Sequence, residues 1–239
     1  MTPKVRILFL SSNPWNVSRI LVDEEAREIA EKIQEGPYRD RFEVQTHVAV
    51  KPRDLQKLLL KYRPHIVHFS CHGSKRRRII LSGTHGPGKA VDRQGLADVF
   101  ALYNRHVRLV LLNACFTEAQ ARSISEVVNY SIGTSKAIGD RVGVVFAGAF
   151  YRALGFGKSV KDAFESARAE LALTKMPRSR GIELFIRNGV GENDSFPRVE
   201  KHRSRCRAID TDFVLKAETR FECQFTILST TQQTVLARS

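Results

Sequence analysis

A thiol and an imidazole each follow a short apolar run in this sequence. Cys115 comes after the run 107–112, and His72 comes after the run 65–70. A thiol becomes a strong nucleophile when a neighbouring base removes its proton, and the oxygen of the carbonyl it attacks needs hydrogen-bond donors. His72 can supply the base, and the backbone N–H groups of Gly73 and Cys115 can supply the donors. The pair therefore indicates cysteine-based nucleophilic catalysis.

Each of these residues also has a purely structural interpretation. A cysteine at a strand end is commonly a small core residue, and a histidine after a strand is commonly a hydrogen-bonded structural residue. A helix predicted to begin near Thr117 favours the catalytic interpretation, because its positive N-terminal dipole would face a thiolate at Cys115. The residues alone leave both interpretations open.

The elements that must position this pair alternate along the chain. Short apolar runs predict strands, and segments with apolar residues three or four positions apart predict helices. Alternation of this kind indicates an α/β fold with a mainly parallel sheet and helices on both faces, and ligands bind at the carboxyl ends of such strands. We predict strands at 5–11, 42–50, 65–70, 77–81, 107–112, 130–133 and 182–186, and helices at 19–34, 52–63, 94–104, 117–128, 140–154 and 159–174.

Composition restricts the class of protein. The 239 residues are 42% hydrophobic, which is enough for a packed core. Apolar runs are too short for a membrane helix, and the first apolar run is too short for a signal peptide, so we expect a cytoplasmic protein without membrane contact. The four cysteines form no CxxC pair.

The net charge of +14 raises the question of nucleic-acid binding. The run Lys75-Arg76-Arg77-Arg78 is the sharpest basic segment, and no nucleic-acid-binding motif accompanies it. Binding through this run is kept as a third hypothesis. His65, His68 and His72 lie close together without the spacing of a zinc site, so we expect no metal.

The residues after 190 differ in character from the α/β pattern. They are polar and basic at first, and two short strand-like runs follow. We therefore predict a domain over residues 1–190 and a basic C-terminal extension of uncertain structure over residues 191–239.

Two motifs resemble those of a known family. The segment Ile66-Val67-His68-Phe69-Ser70-Cys71-His72-Gly73 resembles the histidine motif of CHAT domains, which are caspase-like, separase-related cysteine peptidases of clan CD type. The segment Leu111-Leu112-Asn113-Ala114-Cys115-Phe116-Thr117 resembles the cysteine motif of the same family. Weaker matches run in the same order from residue 4 to residue 188.

The resemblance implies a fold, a reaction and roles for particular residues. The fold is a caspase–haemoglobinase-like three-layer sandwich, and the reaction is the cleavage of a protein partner without a cofactor. His72 is then the general base and Cys115 the nucleophile, and the backbone amides of Gly73 and Cys115 form the oxyanion hole. The family requires no third orienting residue, so we assign none.

Cys71 departs from the family pattern, which commonly has glycine before the histidine. Alternation along the strand turns Cys71 away from the face of His72, which favours a core residue. A redox latch between Cys71 and Cys115 is the alternative.

Asp140 lies where the family places a segment that forms the substrate pocket. An acidic group there would favour a basic side chain before the cleaved bond. Asp140 equally fits as a residue that caps the helix 140–154.

Our first hypothesis is therefore a cysteine endopeptidase of a bacterial signalling or defence system. By analogy with the family, a protein partner or a neighbouring domain would activate it. Because the chain has no recognisable sensor repeat, we expect control by another protein, by dimerisation or by the C-terminal extension. The alternative from another class is a non-catalytic caspase-like scaffold that binds a protein through the same cleft.

Overall fold

The computed structural model of the chain describes residues 4–84, 86–176, 181–191 and 196, all within one compact unit. The predicted C-terminal extension lies almost entirely outside these residues. The described strands are β1 (Val5–Ser12), β2 (Phe42–His47), β3 (Ile66–Gly73), β4 (Ile79–Leu81), β5 (Lys89–Ala90), β6 (Leu109–Asn113), β7 (Tyr130–Thr134) and β8 (Ile182–Ile186). The described α-helices are α1 (Val22–Gln34), α2 (Asp54–Tyr62), α3 (Arg93–Tyr103), α4 (Glu118–Ser125), α5 (Asp140–Gly155) and α6 (Val160–Leu173).

The strands form a central sheet in the order β2-β1-β3-β6-β7-β8. All neighbours on this path pair in parallel except β8, which is antiparallel to β7. The short strand β4 pairs antiparallel with the end of β3, and β5 pairs with β4. The prediction of a mainly parallel α/β sheet is therefore confirmed.

The sheet separates two apolar clusters. One cluster contains Ile29 of α1, Phe146 of α5 and Phe164 of α6, and the other contains Leu59 of α2 and Phe100 of α3. Because successive side chains of a strand point to opposite faces, the central strands contribute to both clusters. Helices on both faces of the sheet complete a three-layer sandwich.

The observed boundaries differ from the predicted ones where hydrogen bonds override the sequence pattern. The first helix begins at Val22 rather than at residue 19, since residues 18–21 form no regular element and the N–H of Val22 bonds to the carbonyl of Ile20, only two residues back. Strand β2 ends at His47 rather than at residue 50, because Ala49 has a positive φ of 52° and the N–H of Val50 bonds to β1. None of the helices in the described segments is long and apolar enough to cross a membrane.

Candidate active site

The register between β3 and β6 brings the two predicted residues together. Ile66 lies opposite Leu109, and the same offset continues to the last pair, Ser70 and Asn113. His72 and Cys115 each follow this last pair by two positions. Residues two apart on a strand share a face, so His72 lies on the same face of β3 as Ser70. Cys115 lies just past the end of β6 and packs against the apolar cluster on that face, the one that contains Ile29.

Gly73 is required where the two strand ends meet. A Cβ atom at this position would lie 1.7 Å from the carbonyl oxygen of Cys115 and 2.8 Å from its nitrogen. No side chain can be accommodated at that distance, so only glycine permits this approach. The backbones of the two predicted oxyanion-hole residues therefore lie against each other.

A tight turn carries Cys115 from β6 to α4. Phe116 has a positive φ of 58°, and the N–H of Ala114 bonds to the carbonyl of Leu112. Thr117 is buried in the turn, and its hydroxyl donates to the carbonyl of Ala114 at 3.0 Å. The Cys115 side chain is half-buried, with Sγ 3.6 Å from the carbonyl oxygen of Ile138. The thiol thus lies just before the N-terminus of α4.

His72 is anchored through one ring nitrogen. Its Nε2 lies 2.6 Å from the carbonyl oxygen of Ser18, in the segment between β1 and α1. A carbonyl oxygen can only accept, so Nε2 carries the proton in this bond. In a neutral imidazole the other nitrogen, Nδ1, is then free to accept a proton. The sequence pattern missed Ser18, because a backbone carbonyl has no signature in residue type.

Both residues line one pocket, which is open to solvent. Within the described residues, none of its lining side chains is Lys or Arg, and two carboxylates, Glu25 and Asp140, take part. The remaining lining residues are Ile20, Leu21, Ser70, Cys71, Asn113, Ala114, Ile138, Gly139 and Val144. The pocket has an acidic lining in a chain of strongly positive net charge.

Asp140 is the first residue of α5 and is exposed to solvent. The N-cap of this helix is Gly139, and no side chain caps it through a hydrogen bond. The capping interpretation of Asp140 is therefore wrong, since the residue lies one position inside the helix. Its place in the pocket lining leaves the substrate-binding prediction standing.

Cys71 lies on the opposite face of the sheet from His72. Its side chain is 3% exposed and packs in the apolar cluster that contains Leu59 and Phe100. Burial raises the pKa of the Cys71 thiol to about 12. This environment is that of a core residue, and the structure records both Cys71 and Cys115 as free thiols.

The basic run Lys75-Arg76-Arg77-Arg78 forms the turn between β3 and β4, outside the pocket lining. The first three side chains of the run are exposed, and Arg78 pairs with Asp92 at 3.7 Å. The turn follows His72 closely along the chain. Nucleic-acid binding through this run remains a prediction.

A largely buried polar cluster that forms part of the pocket lining was not predicted. Glu25 of α1, 3% exposed, accepts hydrogen bonds from the Ser70 hydroxyl at 2.5 Å, the Asn113 amide at 2.5 Å and Nε2 of His68 at 2.8 Å. Nδ1 of His68 lies 3.2 Å from the hydroxyl of Tyr151. Burial, followed by the nearby Glu25 carboxylate, raises the pKa of Tyr151 well above its ordinary value.

The sequence does contain a signal for this cluster. Glu25 precedes Ile29 and Ile33 at intervals of four residues, which places it on the apolar face of α1. A carboxylate on such a face requires buried hydrogen-bond donors. His68, which lies within an apolar strand, is the complementary signal.

Comparison with known proteins gives a family and a fold. The CHAT domain family model matches residues 14–207. A Roc-COR-CHAT protease from an unknown prokaryotic organism is 26% identical over 179 residues, which are 72% of this chain and 17% of that protein. A probable protease from Gillisia limnaea is 24% identical over 170 residues, which are 67% of this chain and 29% of that protein. The chain thus spans less than a third of the length of either curated relative.

Among solved structures, a secreted C11 cysteine protease from Bacteroides thetaiotaomicron, in complex with an irreversible peptide inhibitor, has a similar fold. The TM-score is 0.56 at 13% sequence identity, and the match covers 76% of this chain and 66% of that chain. The predicted caspase-like architecture is confirmed by this likeness. Both curated relatives are named proteases.

Proposed function

The chain belongs to the CHAT domain family, and from this membership we propose that it is a cysteine endopeptidase that cleaves a protein partner with His72 and Cys115. The observation that carries the proposal is the convergence of these two side chains on one solvent-open pocket at the carboxyl edge of the sheet. Substrates of open α/β sheets bind at this edge.

The first half of the reaction forms an acyl-enzyme. Nδ1 of His72 takes the proton of the Cys115 thiol, and the thiolate attacks the carbonyl carbon of the scissile peptide bond. The carbonyl electron pair moves to oxygen, where the N–H groups of Gly73 and Cys115 stabilise the negative charge. Collapse of the intermediate breaks the C–N bond, and the amine leaves with the proton from His72.

The second half returns the enzyme to its starting state. Water gives a proton to His72 and attacks the thioester carbonyl, and the C–S bond then breaks. The carboxylic acid is released, and Cys115 regains its proton. Throughout, the bond from Nε2 of His72 to the Ser18 carbonyl keeps Nδ1 as the atom that exchanges protons, and it supports the imidazolium when that forms.

Asp140 is the residue we propose for substrate selection. It lines the pocket beside Cys115, and none of the described lining residues is a cation that would neutralise it. A Lys or Arg side chain before the scissile bond would pair with this carboxylate, whereas an acidic side chain would be repelled. We expect Asp140→Asn to lower kcat/KM for peptides with a basic residue at this position more than for peptides with a neutral one.

The chain matches only 17% and 29% of its two curated relatives. Control by a protein partner or a neighbouring domain, in the cytoplasm of a bacterium and within a signalling or defence system, is the setting we propose. Co-incubation with candidate partners tests this part, since an activator would raise the rate of Cys115 modification.

The catalytic proposal is tested by covalent labelling. The probe is a peptidyl chloromethyl ketone with arginine next to the reactive group, and the readout is intact mass. We expect one adduct on the wild type, none on Cys115→Ala, at least about a hundredfold slower labelling of His72→Ala, and normal labelling of Cys71→Ser. Equal slow labelling of all four proteins, with or without partners, would favour the non-catalytic scaffold.

A further inference from the structure

We propose that Glu25 is a positioning residue that holds the ends of β3 and β6 so that His72 and Cys115 meet. This inference rests on the proposed function, since it concerns the alignment of the same two residues. Glu25 would act through Ser70 and Asn113, without touching the reacting atoms.

The bridge made by Glu25 is symmetric with respect to the two strands. Its Oε2 accepts from the Ser70 hydroxyl, and its Oε1 accepts from the Asn113 amide, each at 2.5 Å. Ser70 and Asn113 are the last register partners of β3 and β6. Each precedes one member of the catalytic pair by two residues: Ser70 shares the face of β3 with His72, and Asn113 ends β6, from which the turn leads to Cys115. A shift of either partner is therefore transmitted to His72 or to Cys115.

Asn113 is also fixed from the opposite side. A Cβ atom at Gly143 of α5 would lie 2.5 Å from Nδ2 and 2.6 Å from Oδ1 of Asn113. The amide therefore lies between the Glu25 carboxylate and the backbone of α5. Glycine at position 143 is what permits this contact.

The cluster further ties the carboxylate to the middle of β3 and to α5. Nε2 of His68 donates to Glu25 Oε1, and Nδ1 of His68 faces the hydroxyl of Tyr151. With three donors already bound to a 3% exposed carboxylate, the acceptor capacity of Glu25 is largely used within the protein. This arrangement favours positioning over direct recognition of a basic substrate side chain, which we assign to Asp140.

The test exchanges the carboxylate at position 25 and the amide at position 113, so that each position carries the other's functional group. Asn113→Asp alone places two carboxylates in contact and should separate them. Glu25→Gln alone is mild, because the Gln oxygen can accept from His68 and Asn113 while its amide donates to the Ser70 hydroxyl. In the double variant, the Gln amide can donate to the carboxylate introduced at position 113 and to the other tautomer of His68, and the Gln oxygen can accept from Ser70. The bridge is thereby restored with its donor and acceptor reversed.

The readouts are the rate of Cys115 labelling by the chloromethyl ketone and the pH at which that rate is half-maximal. All variants are compared at a temperature where thermal melts show them folded. We expect Asn113→Asp to slow labelling by about tenfold to a hundredfold and to move the half-maximal pH upward, because a displaced thiol loses its base. The double variant should return both readouts to within about threefold of Glu25→Gln. A merely structural role would change the melting temperature and leave the half-maximal pH in place.

Gly143→Ala is a second and independent variant. Alanine favours the helix itself, so a loss of labelling would come from the push of its methyl group on the Asn113 amide. We expect a loss of about tenfold, again with a raised half-maximal pH. The inference is overturned if the wild type labels selectively at Cys115 while Asn113→Asp and Gly143→Ala label at the wild-type rate, or if the double variant is no better than Asn113→Asp. A wild type without selective labelling would instead overturn the proposed function.

Discussion

The two ends of strand β3 place a histidine in opposite situations. At the amino end, just before the strand, Nδ1 of His65 accepts the backbone N–H of Arg6 at 3.0 Å. Burial, followed by the nearby Arg6, lowers the pKa of His65 to about 4. At the carboxyl end, Nε2 of His72 donates to the carbonyl of Ser18.

The difference shows that the partner of a ring nitrogen decides what a histidine can do. His65 uses an acceptor nitrogen to bind the backbone of β1, and it stays neutral at physiological pH. His72 uses a donor nitrogen, which leaves its other nitrogen able to take a proton from Cys115. In the proposed function, the same residue type thus serves stability at one end of β3 and chemistry at the other.

The largest effect should come from a substitution that forces the carboxyl ends of β3 and β6 apart. Gly73→Ala would place a methyl group within 1.7 Å of the Cys115 carbonyl oxygen, so the strand ends must move. We expect Cys115 labelling to slow by about a hundredfold or more, because both the thiol and the oxyanion donors shift. The labelling rate, measured on folded protein, checks this.

Gly86→Ala is the matched control, because a Cβ atom there would meet nothing within 4 Å. It should label like the wild type. If Gly73→Ala also labels at the wild-type rate, the close approach of the strand ends has no part in catalysis.

Cys71 lies at the carboxyl end of β3, on the face of the sheet opposite to His72. Substitution of Cys71 tests whether that face has only a structural role. Its thiol has a pKa of about 12 in the folded protein against an ordinary 9.0, so between these values the unfolded chain releases a proton that the folded chain keeps. Stability should therefore fall as the pH rises above 9. We expect Cys71→Ala to lose less stability than the wild type between pH 8 and pH 10.5 in urea unfolding.

Chemical modification gives a second comparison, between the thiols of Cys71 and Cys115. At pH 8 iodoacetamide should modify Cys115 in the folded wild type and leave Cys71 unmodified, because Cys71 is buried and protonated. Equal losses of stability in the two proteins at pH 10.5, or rapid modification of Cys71 at pH 8, would contradict this view of the residue.

The sequence predicted the sheet, and it led to the proposed catalytic pair, for identifiable reasons. Buried parallel strands are short apolar runs, so the alternation of elements could be recognised, and β8 was predicted with the observed limits, 182–186. His72 and Cys115 came from residue types at strand ends and from the resemblance to CHAT domains. Both kinds of signal lie in the side chains themselves.

Other parts of the site depend on contacts that the sequence does not encode locally. The Ser18 carbonyl belongs to the backbone, and any residue type could supply it. The hydrogen bond between Glu25 and Asn113 joins positions 88 residues apart, and it depends on how α1 crosses the sheet. Asp140 was predicted both as a pocket residue and as a helix cap. The structure was needed to exclude the cap, because the two interpretations differ only in whether α5 begins at residue 140 or one residue later.

His65 offers a smaller test at the amino end. Because its pKa is lowered to about 4 in the folded protein, the unfolded chain takes up a proton first as the pH falls from about 6.5. The folded state should lose stability over this range. We expect His65→Asn, whose side-chain oxygen can still accept the Arg6 N–H, to lose less stability than the wild type between pH 7 and pH 5.

Labelling of Cys115 at pH 7 should be the same in His65→Asn and the wild type, since the substitution lies at the far edge of the sheet. A slower rate would mean that the two ends of β3 are coupled. Parallel loss of stability in both proteins between pH 7 and pH 5 would show that His65 does not titrate as its surroundings indicate.

The smallest effect should come from the carboxylate next to Glu25. Glu24 pairs with Arg141 of α5 at 3.0 Å, but both side chains are exposed, at 40% and 70%. Exposed ion pairs contribute little, so Glu24→Gln should lower the free energy of unfolding by ~0.5 kcal/mol or less and leave labelling unchanged. Urea unfolding measures the change in stability, and the rate of chloromethyl ketone labelling measures the effect on the site.

Glu24 and Glu25 are neighbours on α1 that differ in burial and in their contacts with β3 and β6. A large effect of Glu24→Gln on labelling would therefore mean that α1 and α5 align the site through their surface, and the role given to Glu25 would have to be shared.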